Sequence, residues 1–105
     1  MKKSKKERLE KAGWRIGTAK DFLELTDEEV AFIEIKLALS KYLKDSRVRR
    51  KITQNQLAKI IHSSQSRIAK MEAGDPSVSF DLLLKSLLSI GTSPKQLARV
   101  IGSLS

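Results

Sequence analysis

Apolar residues along this chain recur three and four positions apart and nowhere alternate over a long window, a pattern that predicts helices and no strands. Val30, Phe32, Ile33, Ile35, Leu37, Leu39, Tyr42 and Leu43 are more than one helical stripe can hold. A helix from about 27 to 50 is therefore expected to bury two faces of its first half. Thr26 and Glu29 form its capping box, Asp27, Glu28 and Glu29 suit the positive end of its dipole, and Arg47, Arg49, Arg50 and Lys51 suit the negative end. Thr53 and Gln56 repeat the box before a helix from 54 to about 61, with Ile52 and Leu57 placed as a hydrophobic staple. Ser64 caps a helix from Gln65 to Ala73 that Gly74 ends and Pro76 cannot continue. Ser79 opens a fourth helix, with Val78 and Leu83 as staple and Gly91 as its stop. Ser93, Pro94 and Gln96 open a fifth, which Gly102 closes. Upstream, Thr18 with Asp21 starts a short helix through Phe22, Leu23 and Leu25.

The stretch from Thr53 to Gly74 thus holds two short helices separated by a tight turn. Leu57, Ala58, Ile61, Ile68 and Met71 can meet only if those helices cross steeply, and Ala58 is the small residue that lets them approach. Such a crossing is a helix-turn-helix, whose second helix presents its first turn to base edges in the major groove. Gln65, Ser66 and Arg67, with Lys70 one turn on, are the side chains so presented, and Ser64 stands at their head. Glutamine can pair bidentately with adenine, arginine with guanine, and serine with either. Gln54 and Asn55 open the preceding helix, where amides and backbone N–H groups can hold a phosphate.

Charge strengthens this picture. The 105 residues include 21 Lys and Arg against 12 Asp and Glu, a net charge of +9 that calls for a polyanionic partner. Residues 1–20 are strongly basic. From Asp21 to Glu34 only acids occur, and from Lys36 to Lys70 the sole acid is Asp45. The middle third is therefore the surface expected to face a polyanion. Cysteine is absent, which excludes disulfides and thiolate metal sites. His62 is the single histidine, so neither a metal centre nor a catalytic triad can be assembled around it in a recognisable form. No enzyme activity and no cofactor are expected. The charged opening is followed by more charge where a secretory leader needs an apolar run, and no stretch is long enough to span a membrane. A cytoplasmic protein with no membrane partner follows.

Thr53-Gln54, Leu57-Ala58, Ser64-Gln65-Ser66, Ile68 and Glu72-x-Gly74 stand at the spacing typical of the lambda-repressor-like, Cro-type (XRE) helix-turn-helix family, which this chain resembles over residues 38 to 103. The resemblance implies an all-α, five-helix domain that binds operator DNA as a homodimer and represses transcription. It places Gln54 on phosphate and Gln65, Ser66, Arg67 and Lys70 near the bases, and it pairs Arg47 with Glu72. Family members often carry glycine at the turn where this chain has His62, so a positive φ with some strain is expected there. The leader, with Gly13-Trp14-Arg15-Ile16-Gly17, Phe22-Leu23-Leu25-Thr26, Glu28-Glu29 and Ile33-Glu34-x-Lys36-Leu37-x-Leu39, looks like that of HigA-like antitoxins of toxin-antitoxin pairs. That likeness implies a second job, blocking a small RNA-cleaving toxin.

The expected organisation is a basic arm and helical extension over 1–37 and the DNA-binding domain over 38–105. Trp14 and Phe22 are either cover for the chain's own core or contacts for a partner protein. The basic leader is either a solvated tail or a non-specific DNA arm. A stand-alone phage-type or metabolic regulator without a toxin is the alternative function, and a helical assembly module the bland one. Leu97, Val100 and Ile101 of the last helix, or the extended first helix, are candidate dimer contacts.

Overall fold

Thr26 accepts the N–H of Glu29 on its hydroxyl while the Glu29 carboxylate accepts the N–H of Thr26, and this reciprocal cap starts α1, Asp27–Arg49. The computed structural model describes residues 25–104, and the regular structure there is all-helical. After α1 come α2 (Gln54–Ile60), α3 (Gln65–Ala73), α4 (Phe80–Ser89) and α5 (Pro94–Gly102). The short helix expected from Thr18, the basic arm, Trp14 and Phe22 lie outside the described residues. The division expected between 37 and 38 falls inside α1, which runs through it without a break.

α1 is the central helix and packs against α3, α4 and α5, while α2 packs on α3. Leu39 and Leu43 of α1 are fully buried with Leu57, Ile68, Met71, Leu83 and Leu87, one residue set drawn from the first four helices, and Leu97 of α5 closes the same core. Burying a leucine or isoleucine side chain contributes roughly 1.5 to 3 kcal/mol. Burial of Leu57 against Ile68 and Met71 in that shared core therefore favours the crossing of α2 over α3. Ala58, 3% exposed, sits at that crossing. Toward its start α1 buries a second small cluster, Val30 and Ile33 with Leu25 and Leu37 against them. The first half of α1 thus buries more than one face. Phe32 departs from the expectation: it is half exposed, its ring tilted against that of Phe80 with centroids 5.6 Å apart.

Two turns have non-glycine residues at positive φ, His62 at 55° and Lys51 at 57°. The first was expected; the second, just past α1, was not. Gly74 ends α3 at φ 74°, and a Cβ there would lie 2.6 Å from Leu37 Cδ2. Both the conformation and the space call for glycine. Gly102 does not act as such a stop, because it is the last residue of α5 and Ser103 caps the helix with right-handed geometry. Leu97, a candidate dimer contact, is buried in the chain's own core, whereas Val100 and Ile101 are only partly buried. Among the described residues no helix is long and apolar enough to cross a membrane.

Candidate nucleic-acid interface

Ser64 fixes the start of α3 by accepting the Arg67 N–H on its hydroxyl at 3.2 Å, and its Oγ lies 3.2 Å from that of Ser66. This cap sets the first turn at the surface: Ser64, Gln65, Ser66, Arg67 and Lys70 are all exposed. The opposite side of the helix carries Ile68 and Met71, which are fully buried. One face of α3 therefore anchors the helix while the other is left for a ligand.

A chain of hydrogen bonds runs from the interior to that face. Arg47 Nε and Nη2 donate to the two carboxylate oxygens of Glu72, at 2.5 and 3.0 Å, and Arg47 Nη1 donates to the Ile52 carbonyl at 2.8 Å. The Glu72 side chain is 3% exposed and that of Arg47 13%. Hydrogen bonding to Glu72 holds the Arg47 guanidinium above its ordinary pKa, desolvation opposes this, and the charge of Glu72 adds to it. Glu72 Oε1 also accepts from Gln54 Nε2 at 3.1 Å, and Gln54 Oε1 accepts from Gln65 Nε2 at 3.1 Å. The buried ion pair thus orients Gln54, and Gln54 orients Gln65. An amide nitrogen carries two N–H donors. Gln65 therefore keeps one N–H and its carbonyl oxygen, the pair that a bidentate contact to adenine uses. Gln54 spends one N–H on Glu72 and its carbonyl oxygen on Gln65, which leaves its second N–H as the donor that the expected phosphate contact would use. Asn55 is exposed at the start of α2.

Ser64, Ser66, Arg67 and Lys70 form one wall of a polar groove with a volume of about 280 Å³, and Ser77, Val78, Ser79 and Leu82 form the other. Among the described residues no acid lines it. The far wall comes from the loop between α3 and α4, with Leu82 added from α4, and in that loop Asp75 Oδ1 accepts both the N–H and the hydroxyl of Ser77, at 2.8 and 2.7 Å. Those two bonds hold the Asp75 carboxyl below the usual aspartate range, and Lys70 and Lys36 add to the effect. Ser77 and Ser79 were not among the residues singled out from sequence. Asp75-Pro76 reads there only as a helix stop, and nothing local says that the loop folds back beside Arg67. A larger cavity of about 690 Å³ lies between α1 and α5 and is bounded by the C-terminal end of α3, away from the exposed first turn of that helix.

Residues 43–86, from the second half of α1 to most of α4, match the family model described as helix-turn-helix. No curated protein and no solved structure matches the chain. The crossed pair α2 and α3, with the capped and exposed first turn of α3, lies wholly inside the matched segment, so the part of the chain that resembles a helix-turn-helix is the part that carries the candidate interface.

Proposed function

We propose that this protein is a sequence-specific DNA-binding transcriptional repressor that reads base edges with Gln65, Ser66, Arg67 and Lys70 and grips the sugar-phosphate backbone from Ser64, Asn55 and the start of α2. The observation that carries this reading is the exposed first turn of α3, held from behind by the Arg47, Glu72 and Gln54 relay within a helix-turn-helix domain. A side chain that must discriminate bases needs a fixed starting geometry, and one well-made bidentate pair is worth roughly 1 to 3 kcal/mol of discrimination. Two copies with recognition helices about 34 Å apart would meet successive major-groove faces of a palindromic site. Val100 and Ile101, only partly buried, are the residues we assign to that homodimer contact. We place the DNA-binding unit at 38–105 and its extension at 1–37, in a cytoplasmic protein.

The test is selection of a preferred duplex from a randomised pool by the full chain, followed by fluorescence anisotropy. Gln65→Ala and Arg67→Ala should each relax preference at one base position in each half-site. An assembly module would show no preferred sequence and no response to either change, and that result would refute the reading.

Our finer proposal is that the repressor is the autoregulating antitoxin of a type II toxin-antitoxin pair. The leader's likeness to HigA-like antitoxins supports it, as does an acid-rich start of α1 that lies ahead of the matched segment. That start encloses a small apolar pocket among Leu25, Glu28, Glu29, Phe32 and Ile33, which suits a basic partner protein. Co-expression with the product of the adjacent gene tests it. Formation of a complex and loss of RNA cleavage are expected, and the absence of any such neighbour leaves a stand-alone regulator.

A further inference from the structure

Lys36 lies in α1 seven residues before the helix-turn-helix match begins at Leu43, yet it is 7% exposed and its Nζ donates to the Pro76 carbonyl at 3.2 Å. Burying most of a lysine is costly unless its ammonium finds an acceptor. A position chosen only for solubility would leave it in water. One acceptor it finds, the Pro76 carbonyl, is in the short loop after α3. The next residue of α1, Leu37, presses on the same loop at Gly74, with its Cδ2 2.6 Å from where a Cβ would stand. Two successive residues of the extension therefore hold residues 74 to 76. From there the Asp75 carboxylate fixes Ser77, and Ser77 and Ser79 form the wall of the polar groove facing Arg67 and Lys70.

We infer that Lys36 is a positioning residue for DNA recognition, the point at which the α1 extension sets the α3–α4 loop and thereby the width of the polar groove beside the first turn of α3. This rests on the DNA-binding reading above. The contact gives the extension mechanical access to the interface: anything that displaces the first half of α1 also releases Pro76. Coupling of this kind through one hydrogen-bonded element alters ligand affinity modestly, because the recognition helix itself stays in place.

The test uses the full chain with Lys36→Met, which keeps the apolar stem and removes the donor, and Lys36→Arg, which restores a donor. In the free protein, amide hydrogen exchange at Ser77 and Val78 should quicken in Lys36→Met while exchange at Leu57 does not. Affinity for the duplex selected by the unaltered chain should fall about 3- to 30-fold at a temperature where circular dichroism shows the variant fully folded. Lys36→Arg should recover both. Unchanged exchange at Ser77 and Val78, or unchanged affinity in the folded variant, overturns the inference. Should Lys36→Met not fold, NMR of the unaltered chain decides the loop contact: a coupling across the hydrogen bond from Lys36 Nζ to the Pro76 carbonyl carbon should be seen, and its absence overturns the inference. A chain that selects no duplex defeats the DNA reading itself, while the exchange measurements still judge the Lys36 to Pro76 contact separately.

Discussion

Glu72 takes three hydrogen bonds, two from Arg47 and one from Gln54, at a site almost closed to water. Truncating it strands a buried guanidinium, and breaking a buried pair from one side costs about 3 to 5 kcal/mol. Urea melts of Glu72→Ala should show a loss of that order, and a loss under about 1 kcal/mol would mean that Arg47 turns out to solvent at little cost. The carboxyl of Asp75 gives a second residue-scale prediction, with a sign that can be worked out. Its pKa is lowered on folding, first by the Ser77 hydroxyl and then by the Ser77 N–H. Its contribution to stability is thus complete above the unfolded value and is lost as pH falls through the folded one, a window that opens at about pH 4 and extends downward. An NMR titration should place the Asp75 midpoint below that of an ordinary aspartate, and Ser77→Ala should raise it. A midpoint unmoved by Ser77→Ala would mean that the serine hydroxyl is not what holds the carboxyl ionised.

At the scale of elements, the five helix starts share one device. Thr26, Thr53, Ser64, Ser79 and Ser93 each accept the N–H three positions on. Ser64→Ala should cost about 1 kcal/mol through the lost cap. In a chain of this size that lowers the melting temperature by about 4 to 8 °C. The loss should appear in differential scanning calorimetry, and an unchanged melt would show that α3 is held by its core face alone. The same device explains why helix starts were legible in the sequence and helix ends less so. An N-terminus needs a particular side-chain acceptor, which the sequence displays, whereas the last carbonyls can be satisfied by backbone in several ways. Hence α1 ends with Lys51 at positive φ and no glycine and Gly102 sits within α5, whereas Gly74 and Gly91, both at positive φ, stop α3 and α4 as expected. The candidate site divides along the same line. Ser64 to Lys70 are neighbours in sequence and on one helical face, so their grouping could be read directly. Ser77, Ser79 and Lys36 join them only because the loop after α3 is drawn against α1.

Across the whole molecule, the basic belt from Lys36 to Lys70 is not the uniform polyanion-facing surface that its composition predicts. Lys36 donates to the Pro76 carbonyl and Arg47 is bound to Glu72. Arg49 lies over the Tyr42 ring at 5.6 Å, and the Arg50 guanidinium sits against Gly91, just past the end of α4. Lys36 and Arg47 satisfy carbonyls and a carboxylate within the chain, whereas Arg49 and Arg50 are exposed, the first over a ring and the second beside Gly91. All four add to the long-range field that attracts a duplex, but Lys36 and Arg47, largely covered, are poorly placed to release counterions from a phosphate, and Arg49 and Arg50 stand at the C-terminal end of α1, away from the first turn of α3. Arg67 and Lys70, exposed at the groove, are well placed. Since the slope of log K against log salt counts phosphates neutralised, at about 0.9 per contact on duplex DNA, the two groups can be told apart without a structure of the complex. Arg67→Ala should make the slope shallower by about one for each chain bound if Arg67 meets a phosphate. If it reads a base instead, the substitution should leave the slope nearly intact while relaxing sequence preference. Arg50→Ala should do neither. Anisotropy titrations over a series of salt concentrations would show this, and a slope that changes as much for Arg50→Ala as for Arg67→Ala would mean that the duplex lies across the C-terminal end of α1 rather than along α3.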